Sequence, residues 1–376
     1  MSNTKVAVLK LGARLTFGNK IGTSGGSGEA ISLVNMLVKS GVQVHCYTKV
    51  LASDSIPTEP NLHVFNIETM YANIENHQYD AVIVVNGSVN FFGGVEDASQ
   101  ILNYKIINNF KGPVVYLYCD PNLPLKQIWF SIEKKPWASN WKKEDIEITR
   151  NIHVISQSYN LEKNKAIFES NGYKVASIKH YPFQLFPMMR NKAIEPLFGR
   201  SVDISYGGTF RSGRREKKLI EFYFGYPDNI SVEVFGKIKL GDFNSKKIAN
   251  LASPKFTGAI DYSKMIEKMG DAKYHIAIGD NQYPDFEMIS QRVYEAIMAG
   301  CLVFIDKEFD KNKRIFGNNT ILSNFLYVSN RNDVIDRIKT LDDNTLNTMR
   351  TLQHLTVGFD EQKYCEEFAN MIGETK

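Results

Sequence analysis

Three arginines, Arg211, Arg214 and Arg215, fall within five positions of the stretch YGGTFRSGRREK (206–217). They follow two glycines that close a β-type run, and they stand where a helical pattern begins. Cations at a helix N-terminus oppose its partial positive charge, at about 0.3–1 kcal/mol each where exposed. An anion resolves that conflict. Free backbone N–H groups and the helix dipole favour it, Gly207 and Gly208 let the main chain come close, and the guanidinium forks of Arg211 and Arg215 match phosphate oxygens. No GK[ST] follows the glycines, so this is not a Walker A loop. On local sequence alone, a solvated basic face partly neutralised by Glu216 fits equally well.

Two further constellations suit the same chemistry. In EMISQRVYEAIMAGC (287–301), Arg292 and Glu295 lie three apart and share a helix face. A carboxylate can accept both hydroxyls of a ribose while the arginine reaches a phosphate; a surface ion pair is the simpler reading of these two residues alone. Asp120 ends the apolar run PVVYLYCD (113–120). Open α/β sheets present catalytic groups at strand ends, and a carboxylate there can take the proton of an attacking alcohol. An ordinary strand-ending aspartate has the same pattern.

The elements that must position these residues alternate between strand and helix. VAVLKLG (6–12), QVHCYT (43–48), AVIVVNG (81–87), PVVYLYCD and NIHVISQS (151–158) are expected as buried parallel strands, with a helix over EAISLVNMLVKSG (29–41) that Glu29 opens. The pattern breaks at NKAIEPLFGRS (191–201). It resumes with strands in DISYGGTF (203–210), ISVEVFGKI (230–238), YHIAIGD (274–280), LVFIDKEF (302–309) and FLYVSN (325–330). Helices are expected at 213–224, 262–270, 289–299, 331–341 and 343–355, and a last one over FDEQKYCEEFANMIG is expected to cross back onto the first domain. The fold class is α/β, with two doubly wound Rossmann-like domains facing a central cleft.

Composition bounds the function. With 376 residues the chain is long enough for two domains, and its net charge of +4 permits nucleic-acid contact through a local patch without arguing for it. The four cysteines lie far apart with no CxxC pair, so neither a zinc knuckle nor a disulfide framework is suggested. The start MSNTKVAVLKLG has no signal-peptide pattern and no run of about 18 apolar residues occurs, so a cytoplasmic protein without membrane contact is expected.

Several stretches, in order along nearly the whole chain, resemble one family. VVNGSVNFFGG (84–94), YLYCDPNLPLKQIW (116–129), the PW of KKPWASNW (134–141), VISQSYNL (154–161), DISYGGTFRSGRRE (203–216), FTGAI (256–260) and RVYEAIMAG with IDKEFD (292–310) are similar to the T-even phage DNA β-glucosyltransferases. The resemblance implies a GT-B enzyme that moves glucose from UDP-glucose to 5-hydroxymethylcytosine in duplex DNA, inverting the anomeric carbon. It implies an acceptor-side domain over 1–192 joined by 358–376, and a UDP-sugar domain over 193–357. Carried over by residue, Asp120 is the general base and Glu29 lines the sugar pocket. Gly207, Gly208, Thr209, Arg211 and Arg215 surround the diphosphate, Arg292 and Glu295 bind phosphate and ribose, and Gly258 and Ile260 receive the uracil. Arg214 stands outside this set, as a solvated side chain.

Reaching a base inside a duplex requires extruding it. Asn90, Phe91 and Phe92 in SVNFFGG suit the vacated stack, although two phenylalanines after a strand more often join a core. Lys134, Lys135, Lys142 and Lys143, with Trp137, read as a phosphate-contacting surface or as a solvated lysine face. The loop GTSGGSG (22–28) is longer and richer in glycine than the family pattern and borders the sugar pocket. Two donors therefore stay open: UDP-glucose, the first choice, and a pentose donor such as UDP-arabinose. A GT-B enzyme with a non-DNA acceptor, or a nucleotide- or DNA-binding module without catalysis, are the other readings. With no DxD and no histidine pair at metal-ligand spacing, a divalent cation is expected to stimulate without a dedicated protein site; Asp280 is a candidate neighbour for it, with a strand-end turn as its first reading. The expected partners are hydroxymethylated duplex DNA and a UDP-sugar, with the chain acting as a monomer.

Overall fold

Runs of β-branched residues with both faces covered become parallel strands, because only helices on each side can bury them. In the computed structural model, which describes residues 4–9, 25–48, 59–66, 69, 74, 78–86, 108–118, 149–170, 172–180, 199–260, 264–280, 282–357 and 361–373, two such sheets form. The chain divides into one unit of Met1–Pro187 with Asp360–Lys376 and a second of Met188–Phe359.

In the first unit, β1 (Lys5–Leu9), β2 (Gln43–Thr48), β3 (Leu62–Asn66), β4 (Ala81–Asn86), β5 (Val114–Tyr118), β6 (Asn151–Ser156) and β7 (Lys174–His180) make a parallel sheet in the order β3-β2-β1-β4-β5-β6-β7. Among the described residues before residue 188, this unit has the helices α1 (Gly25–Lys39) and α2 (Leu161–Ser170). Glu29 is expected from sequence to open α1; the helix begins four residues earlier, at Gly25, and its first turn holds no acidic residue. Burial of Ala30, Ile31, Leu33, Val34 and Leu37 carries the helix back into glycines that each disfavour it by about 1 kcal/mol.

The second unit contains β8 (Val202–Thr209), α3 (Arg214–Tyr223), β9 (Val232–Lys237), α4 (Ser245–Ile248), β10 (Lys255–Gly258), α5 (Met265–Met269), β11 (Ala272–Ala277) and α6 (Gln282–Phe286). It continues with α7 (Gln291–Met298), β12 (Leu302–Asp306), α8 (Thr320–Leu326), β13 (Tyr327–Val328), α9 (Arg331–Lys339) and α10 (Asp343–Thr356). Its sheet is again parallel, in the order β10-β9-β8-β11-β12-β13. The strand expected over 325–330 is corrected: Asn319 caps Leu322 N–H and Leu322 and Leu326 bury one helical face, so α8 takes the first residues and the strand keeps two. The last helix, α11 (Glu361–Gly373), packs on α1 in the first unit and buries Cys365, Phe368, Met371 and Ile372.

In each sheet the order reverses beside the first strand, between β1 and β4 and between β8 and β11. Parallel sheets bind ligands at such switch points, beyond the carboxyl ends of the strands.

Candidate functional site

The second switch point gathers the expected residues. Gly207 packs its backbone so tightly on β9 that a β-carbon there would lie 2.3 Å from the Phe235 ring. The chain then leaves β8 at Thr209 and turns at Gly213, whose φ of 87° favours glycine, into α3. Gly213 has no side chain to cap that helix, and among the described residues none caps it, so its first N–H groups suit an anion.

Across the switch point, Asp280 follows β11 and answers the question the arginines pose. Its Oδ2 accepts from Arg211 Nη1 at 3.0 Å and from Arg215 Nη2 at 2.7 Å. Arg215 Nη1 also donates to the Thr209 carbonyl, while Arg215 Nε is buried without a partner among the described residues. From sequence Asp280 reads first as a strand-end turn and second as a neighbour for a cation; in the structure it is the counter-ion of two arginines. Glu216 does not neutralise them, because it pairs with Lys247 at 3.1 Å. Nor is Arg214 merely solvated. It pairs with Glu308, which also meets the buried Lys218, and Lys218 in turn reaches Asp306 at the end of β12 and Glu221. Burial opposes the charge of Lys218, but Asp306, Glu221 and Glu308 outweigh it and hold its ammonium above the usual range. This network fixes α3, and with it Arg215, against β12.

Arg292 and Glu295 form an ion pair of 2.5 Å on α7, with the Glu295 side chain 2% exposed. Ser290 caps the helix start by accepting from Arg292 N–H. The pair belongs to the same place as the other arginines: burial pushes the Tyr206 phenol up, Arg215, Arg292 and Arg211 pull it down, and Asp280 pushes it up again. Gly258 ends β10 in the same sheet, and Ile260 follows two residues on. Gly258 and Gly207 both pair in register with Phe235, so they stand two strand spacings apart, roughly 10 Å.

Two residues here escaped the sequence reading. Gln291, first in α7 and 7% exposed, leaves both amide atoms without a partner among the described residues. Its one sequence signal is its place beside Arg292. His275 on β11 is buried and bonded through Nδ1 to the Ser205 carbonyl. Burial and the nearby Arg292 charge push its imidazole down to about 3. The unfolded chain therefore binds a proton below about pH 6.5 that the native one refuses, so stability falls with acidification from there towards pH 3 and is unaffected above. Urea denaturation should show the wild type losing about 2 kcal/mol more than His275→Asn between pH 7 and 5; equal losses would assign the acid sensitivity to other groups.

Asp120, Asn90, Phe91, Phe92, Lys134, Lys135, Trp137, Lys142 and Lys143 lie outside the described residues, as does the side chain of Glu29. Among the described residues, no group of three or more His, Cys, Asp or Glu side chains is placed to hold a metal ion, and no helix is long and apolar enough to cross a membrane.

Comparison with known proteins gives the same direction. Residues 23–191 match the family model of the bacteriophage T4 β-glucosyltransferase. The DNA β-glucosyltransferase of Enterobacteria phage T4 is 33% identical over 284 residues, which cover 75% of this chain and 78% of that protein. The structure of the T4 phage enzyme with UDP and Mn2+ superposes with a TM-score of 0.75 at 28% identity, covering 98% of this chain and 99% of the other. An α-glucosyltransferase in complex with UDP-glucose and DNA containing an abasic site has the same fold, at a TM-score of 0.65 and 14% identity over 98% of this chain and 99% of that one.

Proposed function

Because the chain belongs to the T4 DNA β-glucosyltransferase family, we propose that it moves glucose from UDP-glucose to the hydroxymethyl group of 5-hydroxymethylcytosine in duplex DNA. The observation that carries the donor half is the Asp280 carboxylate held by two guanidinium forks beside an uncapped helix start. The diphosphate takes the place of that carboxylate, and Arg292 adds a third cation. Glu295 accepts the ribose hydroxyls, and the uracil meets the backbone at Gly258, about 10 Å from Gly207, and at Ile260. As the bond from C1 to the diphosphate breaks, negative charge grows on UDP, and fixed donors stabilise it without reorganising.

Asp120 takes the proton of the incoming alcohol, and attack from the face opposite UDP inverts C1. The acceptor base is extruded from the stack, with Asn90, Phe91 and Phe92 filling its space and Lys134, Lys135, Trp137, Lys142 and Lys143 on the backbone. Glu29 contacts the transferred sugar. A divalent cation, such as the Mn2+ that accompanies UDP in the relative's structure, would add positive charge at the leaving diphosphate, while Asp280 is engaged by arginines.

Hydroxymethylated and unmodified duplexes, each incubated with UDP-glucose and separately with UDP-arabinose, test the reading by nucleoside mass spectrometry. A hexose added only to the hydroxymethylated duplex is expected. A pentose would move the donor to UDP-arabinose, and equal labelling of both duplexes would overturn the acceptor. The placeholder role of Asp280 has its own readout. Asp280→Asn removes a charge that competes with the diphosphate, so calorimetry should show UDP binding tighter by about 1 kcal/mol, roughly fivefold, at low salt. Weaker binding would make Asp280 an organiser of the arginines instead.

A further inference from the structure

From the end of β9 to the start of β10 the chain reads KIKLGDFNSKKIANLASPK (237–255), with five lysines and one aspartate, a net charge of +4 that equals that of the whole protein. Lys237, Lys239, Lys246, Lys247 and Lys255 are all exposed. Lys247 pairs with Glu216, and the Asp242 carboxylate accepts the Lys239 backbone N–H. Lys237, Lys239, Lys246 and Lys255 have no carboxylate partner among the described residues.

A loose lysine run would be an ordinary solvated face, but this one is pinned. Ile238 and Phe243 are buried, and the Phe243 ring packs against Phe210, Phe224 and Phe256 with centroids 5.2, 5.0 and 6.0 Å away. Asn244 caps α4 by accepting from Lys246 N–H. The lysines are thus held outward on a fixed platform, where like charges repel without internal relief. The platform also has an address: Lys237 pairs in register with Thr209, and its carbonyl accepts from Phe210 N–H at 3.0 Å, one residue before Arg211.

We infer that this platform is a second DNA-contacting surface, which holds backbone phosphates of the duplex beside the donor site. The inference rests on the reading of duplex DNA as acceptor. Lysine ammonium groups meet phosphates as point charges, which positions a duplex without reading its sequence. That suits an enzyme whose target is a modified base rather than a sequence.

The test is Lys237→Gln/Lys239→Gln/Lys246→Gln in the full chain, with binding to a hydroxymethylated duplex followed by anisotropy from about 50 to 200 mM salt. Each lost phosphate contact removes about 0.9 from the slope of log affinity against log salt. A slope shallower by about 2 to 3 and an affinity at least about tenfold lower at the low-salt end are expected. UDP binding should change less than twofold, and the corresponding triple Lys→Arg variant should keep the wild-type slope. Should the triple variant misfold, Lys246→Gln alone must lower the slope by about 0.9. An unchanged slope in a protein that still glycosylates DNA overturns this surface alone. If the wild type neither binds nor modifies DNA, the functional reading falls with it.

Discussion

Asp120→Ala is expected to lower sugar transfer by about 10²–10⁴-fold while UDP binding stays intact, because general-base catalysis contributes that much to a proton transfer. A primary alcohol holds its proton at neutral pH, and no other carboxylate is assigned to remove it. Sequence places Asp120 two residues past Tyr118, where β5 ends. β5 is a parallel strand between β4 and β6, and open α/β sheets do their chemistry beyond the carboxyl ends of such strands. The reading separates catalysis from binding: single-turnover transfer should collapse while calorimetric UDP affinity changes less than about twofold. Asp120→Asn, which keeps shape and loses basicity, should be nearly as slow. An alanine variant within tenfold of the wild type would remove Asp120 as the base.

The sheets' interiors were legible in the sequence and their edges were not. β1, β4, β5 and β12 are apolar runs buried on both faces, and their residues announce them. β3, β7 and β10 are sheet edges with half-exposed side chains, such as KVASIKH in β7, and no apolar run marks them. β13, the remaining edge, is only two residues long. In the site, Arg211 and Arg215 stand out because cations at a helix start conflict with its dipole, and Arg292 and Glu295 because their spacing puts them on one helix face. The counter-ion role of Asp280 does not, since it depends on β8 and β11 being neighbours across a crossover of more than sixty residues. Gln291 gives still less warning: an amide becomes notable only once burial has removed its water.

Arg215→Ala should cost more than Arg211→Ala, although both guanidinium groups hold the same carboxylate. The Arg211 side chain is 58% exposed and the Arg215 side chain 13%, so water screens the first far more than the second. Arg215 is also fixed by the Thr209 carbonyl and by a helix that Lys218 ties to Asp306, and its buried Nε has no partner among the described residues. A preorganised donor of this kind aimed at developing charge is worth about 10²–10³-fold in rate. We expect kcat/KM for the donor to fall by that factor in Arg215→Ala and by about tenfold in Arg211→Ala. Arg215→Lys should recover only part of the loss, because an ammonium cannot serve the carbonyl and two phosphate oxygens as a fork does. The fold should survive, with Asp280 still paired to Arg211 and circular dichroism unchanged. Equal effects of the two alanine variants would mean that the arginines act as a diffuse cationic field and that the geometry around Asp280 carries no catalytic weight.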